Sequence, residues 1–86
     1  MAAYKSIRFE KAAKKFIEKQ PPEQQKRLLK AINDLPENGD IKKMKGHKSL
    51  YRLRVGDYRV IYTVNKDGQY VIVTVSNVDS RGQIYK

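Results

Sequence analysis

Between Leu50 and Tyr62 the chain reads LYRLRVGDYRVIY, two alternating runs that meet at Gly56-Asp57. Apolar and basic residues trading places at every step, around a Gly-Asp pair, define a β-hairpin with a two-residue turn. With Gly56 and Asp57 as the loop, Val55 faces Tyr58, Arg54 faces Arg59, Leu53 faces Val60 and Arg52 faces Ile61. Side chains alternate across a sheet, so Arg52, Arg54 and Arg59 share one face. Tyr51, Leu53, Val55, Val60, Tyr62 and Val64 share the other. A second turn at Asp67-Gly68 leads into a further strand, Gln69–Ser76 (QYVIVTVS). It adds Val71, Val73 and Val75 to the apolar face, and Ile72, Thr74 and Ser76 to the arginine face.

The flanks fill in the rest of the domain. Tyr4–Phe9 (YKSIRF) alternates as a short strand, and from Glu10 the period changes to that of a helix. Phe9, Ala13, Phe16 and Ile17 form one apolar stripe, with Lys11, Lys14, Lys15 and Lys19 off it. Pro21-Pro22 ends this helix, and Pro22 suits the first turn of another, where a missing N–H costs nothing. Leu28, Leu29, Ile32 and Leu35 make the second stripe, which Pro36 and Gly39 close. Asp40 to Ser49 reads as a basic loop anchored by Ile41 or Met44, and residues 81–85 (RGQIY) as a last short edge strand. The order βααβββ(β) predicts an α+β fold: an antiparallel sheet of about four strands, with the N-terminal strand and a two-helix hairpin packed on one face. The 86 residues form a single domain, 1–86. A sheet covered on one side shows its other side to water, and that face is where function is sought.

Several chemistries are excluded by composition. There is no cysteine, so neither disulfides nor thiolates are available. His47 stands alone, and the nine Asp and Glu show no tight ligand spacing, so no metal or other cofactor is expected. The chain passes directly from Met1 into a charged segment and contains no long apolar run, which predicts a cytoplasmic protein without a membrane span. A net charge of +10 on so small a body exceeds the charge of about 2–8 that solubility needs. It favours a polyanionic partner such as RNA, DNA, a ribosome or an acidic protein.

The arginine face narrows that choice. Like charges directly opposite on paired strands repel, and the hairpin reading offers Arg54 and Arg59 no carboxylate, since Asp57 lies in the turn. Guanidiniums gathered in this way make an anion site suited to phosphate; the alternative is three arginines pointing separately into water. Lys42, Lys43, Lys45 and Lys48 sit nearby and are candidate RNA-binding residues. At the C-terminus, Arg81 and Tyr85 add a cation and an aromatic ring. Tyr85 either stacks on an RNA base or plugs the core.

These residues bring a resemblance into view. LYRLRVGDYRVIY looks like the central hairpin of the RelE/ParE toxin superfamily, and RGQIY resembles its closing Arg-Gly-acid-aliphatic-Tyr element. The F-x-K-A-A-K-K-F helix and the K-x-x-K-G stretch Lys42–Gly46 fit as well, so the similarity spans nearly the whole chain. The resemblance implies a type II toxin: a metal-independent endoribonuclease that enters the ribosomal A site, cuts mRNA and is silenced by an acidic, DNA-binding cognate antitoxin. It implies that Arg52, Arg54, Arg59, Arg81 and Tyr85 carry catalysis, with Arg54 and Arg59 stabilising charge on the phosphate. Relatives have lysine where Arg52 and Arg54 stand, and His or Lys where Ser80 stands. An arginine stays protonated, so no conventional general base is evident here. Two rival readings are a ParE-like inhibitor of DNA gyrase and a non-catalytic basic module that binds RNA or the antitoxin.

Overall fold

A computed structural model of the protein describes residues 4–44 and 50–80. Five strands and two helices follow in the order β1 (Tyr4–Phe9), α1 (Lys11–Glu18), α2 (Pro22–Asn33), β2 (Asp40–Lys43), β3 (Leu50–Val55), β4 (Tyr58–Asp67) and β5 (Tyr70–Ser80). They build one sheet in the order β1-β5-β4-β3-β2, with the helices over one face. The α+β architecture is the expected one, with two differences in the sheet.

The first is β2. The segment beginning at Asp40, read as the start of a loop, opens as a four-residue edge strand antiparallel to β3. Its charges mask the β signal, but Ile41 packs against the core while Asp40 and Lys42 alternate to the opposite face. Lysines on an edge strand also discourage pairing with a second sheet. The second is β1, which pairs with β5 in parallel, Tyr4 beside Tyr70 through Phe9 beside Val75, so the sheet is mixed.

The central hairpin has the register that its alternation dictates, including Arg54 opposite Arg59 and Arg52 opposite Ile61. Gly56 turns at φ +58°, a left-handed conformation that side chains resist. The Arg27 guanidinium of α2 lies over it, 2.7 Å from where a Cβ would stand; that flexible side chain could swing aside, so it is the backbone conformation that calls for glycine.

Both amphipathic stripes reach the core, although each leaves one residue outside. Ala13 and Ile17 from α1 and Leu28, Ile32 and Leu35 from α2 and its exit are buried against Leu53, Val55, Val60, Tyr62, Val71, Val73, Val75 and Val78. Phe9 and Leu29 remain 36% and 44% exposed. Phe16 meets Tyr58 edge-to-face at 6.2 Å, and the Tyr58 hydroxyl donates to Gln20 Oε1 at 2.9 Å, tying the helical hairpin to β4.

Tyr62 is buried and stacked on Tyr51 with ring centroids 5.5 Å apart. Burial, and secondarily the neighbouring Tyr51, pushes its phenol from 10.0 up to about 12. The unfolded chain therefore loses this proton first as pH rises. Stability from Tyr62 is intact below pH 10 and falls between about 10 and 12, by up to roughly 2–3 kcal/mol. Urea unfolding at pH 9 and pH 11 checks this, and Tyr62→Phe is expected to show a shallower loss than wild type.

Candidate nucleic-acid interface

The open face of the sheet is assembled from alternate residues of neighbouring strands. Asp40 and Lys42 on β2 lie opposite Arg54 and Arg52 on β3, and Arg54 in turn lies opposite Arg59 on β4. Directly opposed residues share a face. The three hairpin arginines are therefore on one side, with Lys42 beside them.

A bulge completes the arrangement. Opposite Ile61 and Tyr62 the register of β5 jumps from Asn77 to Val75, so Ser76 is an extra residue. The Ser76 hydroxyl donates to the Ile61 carbonyl at 3.2 Å, fastening the bulge to β4. Without it, strict alternation from Val71, Val73 and Val75 would turn Asp79 into the core and Val78 out to water. With it, Val78 is buried and Asp79 faces outward directly opposite Arg59. The two side chains meet fork to fork: Arg59 Nη2 donates to Asp79 Oδ2 at 3.0 Å and Nε to Oδ1 at 3.3 Å. The expectation of an arginine face without a carboxylate is thus corrected. Asp79 pairs with Arg59, and Asp40 is the cross-strand neighbour of Arg54. Sequence reading missed Asp79 because it ended the strand at Ser76. The available signal was the three-residue step from Val75 to Val78, which breaks the two-residue period at the bulge.

Lys42, Lys43, Met44, Arg52, Arg59, Ile61, Asn77 and Asp79 line one cleft of about 520 Å³ on this face. Among these described residues, four cations stand against one carboxylate, while Met44 and Ile61 add apolar lining. A guanidinium fork matches two non-bridging phosphate oxygens, ammonium groups add untargeted attraction, and apolar side chains accept the flat side of a base or ribose. Arg54 is exposed beside the cleft and is not among the residues that line it. Arg81, Tyr85, Lys45 and Lys48 lie outside the described residues. Among the described residues no three acidic or histidine side chains gather into a group that could hold a metal ion, and no helix is long and apolar enough to cross a membrane.

A small mixed sheet with two helices on one face and a cationic cleft on the other is the fold of a family of small toxins. The family model for the ParE toxin of type II toxin–antitoxin systems matches residues 7–85. The RelE1 protein of Methanocaldococcus jannaschii is 31% identical over 74 residues, covering 79% of this chain and 82% of that protein. Among solved structures, the toxin fold is shared with the RelB-RelE antitoxin–toxin complex from Methanococcus jannaschii, at 34% identity and TM-score 0.68, covering 91% of this chain and 94% of that one. The archaeal RelE-RelB complex from Pyrococcus horikoshii matches at 27% identity and TM-score 0.71, covering 96% and 99%. This chain belongs to the RelE/ParE superfamily of toxins from type II toxin–antitoxin systems.

Proposed function

We propose that the protein is a ribosome-dependent endoribonuclease that cuts mRNA in the A site. The observation that supports this best is the cleft itself, in which Arg52, Arg59, Lys42 and Lys43 converge on a space that accommodates a phosphodiester and its neighbouring nucleosides. In the reaction, the ribose 2′-oxygen attacks the adjacent phosphorus and the P–O5′ bond breaks. A 2′,3′-cyclic phosphate remains, one proton leaves the 2′-hydroxyl and one is delivered to O5′. Negative charge grows on the non-bridging oxygens in between. Arg59 and Arg52 stabilise that charge, since fixed donors aimed at developing charge act strongly in a partly enclosed site. Lys42 and Lys43, with Lys45 and Lys48, hold the flanking backbone, while Arg54 attracts RNA from beside the cleft. Arg81 contacts the leaving side, and Tyr85 stacks on a base or assists proton transfer. These cations do the charge neutralisation that a metal provides in other nucleases.

The partner that restrains this activity is a cognate antitoxin, as RelB accompanies RelE in the complexes that this chain resembles. Phe9 and Leu29 lie together between two shallow grooves, one edged by Lys30 and the other by Lys14 and Glu18. An exposed apolar pair rimmed mainly by lysines suits an acidic amphipathic segment. Leu29→Asp is expected to weaken antitoxin binding by at least about tenfold, the effect of losing one buried apolar anchor and adding a like charge. Isothermal titration with the protein encoded beside the toxin gene measures it, and cleavage of RNA should be unaffected.

The family model's ParE name favours one second reading, inhibition of DNA gyrase. Primer extension on mRNA in a translating cytoplasmic lysate separates the two. Cuts positioned by codon, absent without ribosomes, support the nuclease. Intact mRNA with stalled gyrase complexes selects the second reading, and neither effect selects a non-catalytic RNA or antitoxin binder.

A further inference from the structure

We propose that Asp79 is a positioning residue whose carboxylate fixes the Arg59 fork across the cleft and, in doing so, weakens the hold on RNA. The inference rests on the nuclease reading and assigns a role to a side chain that the reading leaves unused. Three observations converge on it. Asp79 reaches the open face only because Ser76 bulges out of β5, so the strand is irregular at the one place where this matters. Its two oxygens take both available partners on one edge of Arg59, at 3.0 and 3.3 Å. Among the described residues lining the cleft it is also the one carboxylate, beside four cations.

Stability does not account for the pair. Its side chains are 39% and 32% exposed, and ion pairs open to solvent contribute little to folding. Orientation does account for it. An arginine has many rotamers, and Arg54 directly opposite on β3 repels Arg59 from its other side. Held by a two-point contact, the guanidinium is already oriented when RNA arrives, and no ordering is left for the chemical step. A carboxylate beside a phosphate nevertheless repels it. Asp79 therefore trades affinity for rate, and its neutral replacement should move the two in opposite directions.

That opposition is the test. Wild type, Asp79→Asn and Asp79→Glu are compared on ribosomes with a programmed A-site codon, using cleavable mRNA for single-turnover rates. The same mRNA with a 2′-O-methyl group at the scissile nucleotide gives affinity. Asp79→Asn keeps the shape and loses the charge. It is expected to cleave about tenfold or more slowly at saturation while binding the blocked complex several-fold more tightly. Asp79→Glu, which retains the charge, should recover part of the rate. Asp79→Asn cleaving at the wild-type rate overturns the proposal. A joint loss of rate, affinity and thermal stability also overturns it, because the residue would then be only structural. If wild type itself leaves the mRNA uncut, the nuclease reading fails first and this inference fails with it.

Discussion

Arg59→Ala is expected to lower codon-positioned mRNA cleavage by about 10²–10³-fold, the usual consequence of removing one well-placed donor from a charged transition state. Among the described arginines, Arg59 combines three properties. It lines the cleft, it is only partly exposed, and a partner fixes its fork. Arg52 shares the cleft, so Arg52→Ala should also slow cleavage severely. Arg54 stands outside the lining and should matter less, its loss being felt as weaker, more salt-sensitive association with RNA. The ordering is informative, because hairpin alternation treats Arg52 and Arg54 as equivalent and only the position of the cleft separates them. Melting curves should confirm that Arg59→Ala remains folded, since the exposed ion pair it removes contributes about 0–1 kcal/mol. Equal losses for Arg54 and Arg59 would contradict the assignment of chemistry to the cleft.

Val78→Asp is expected to unfold the protein or reduce its stability by about 4 kcal/mol or more. The extra residue at Ser76 carries Val78 into the core and leaves Asn77 exposed, the reverse of strict alternation from Val75. Losing a buried valine alone costs about 1.5 kcal/mol or more, and an unpaired carboxylate in an apolar core costs several more. A domain of this size has only about 5–15 kcal/mol in total. Asn77→Asp is the matched control. It puts the same carboxylate one residue away on the exposed side, and should cost less than about 1 kcal/mol. Urea unfolding of the two variants measures the contrast. An Asn77→Asp variant as unstable as Val78→Asp would show that the bulge does not set the facing of β5.

Most of this fold was readable from periodicity because periodicity and burial agree over most of its length. The β3–β4 register followed from a Gly-Asp turn between alternating strands, and the helical hairpin followed from two apolar stripes separated by Pro21-Pro22. What escaped sequence reading was decided by tertiary neighbours. Asp40–Lys43 is a strand because β3 offers it a free edge and Ile41 a place in the core, neither of which is a local property. The parallel pairing of β1 with β5 depends on how the whole chain crosses over the sheet. Phe9 and Leu29 lie on their predicted stripes, yet two short helices cannot cover the sheet to its edge, and both stay exposed. For the site, the shared face of Arg52, Arg54 and Arg59 was legible. Its counterion was not, because a single inserted residue inverts every facing beyond it.

The cleft between β2 and β5 is the proposed seat of the scissile phosphodiester. Cryo-electron microscopy of the protein on a ribosome whose A-site codon carries 2′-O-methyl groups tests this directly. The scissile phosphate is expected within hydrogen-bonding distance of the Arg59 and Arg52 guanidiniums, with the lysines of β2 along the flanking backbone. A complex in which the helical face meets the mRNA and the arginine face points into solvent would contradict it.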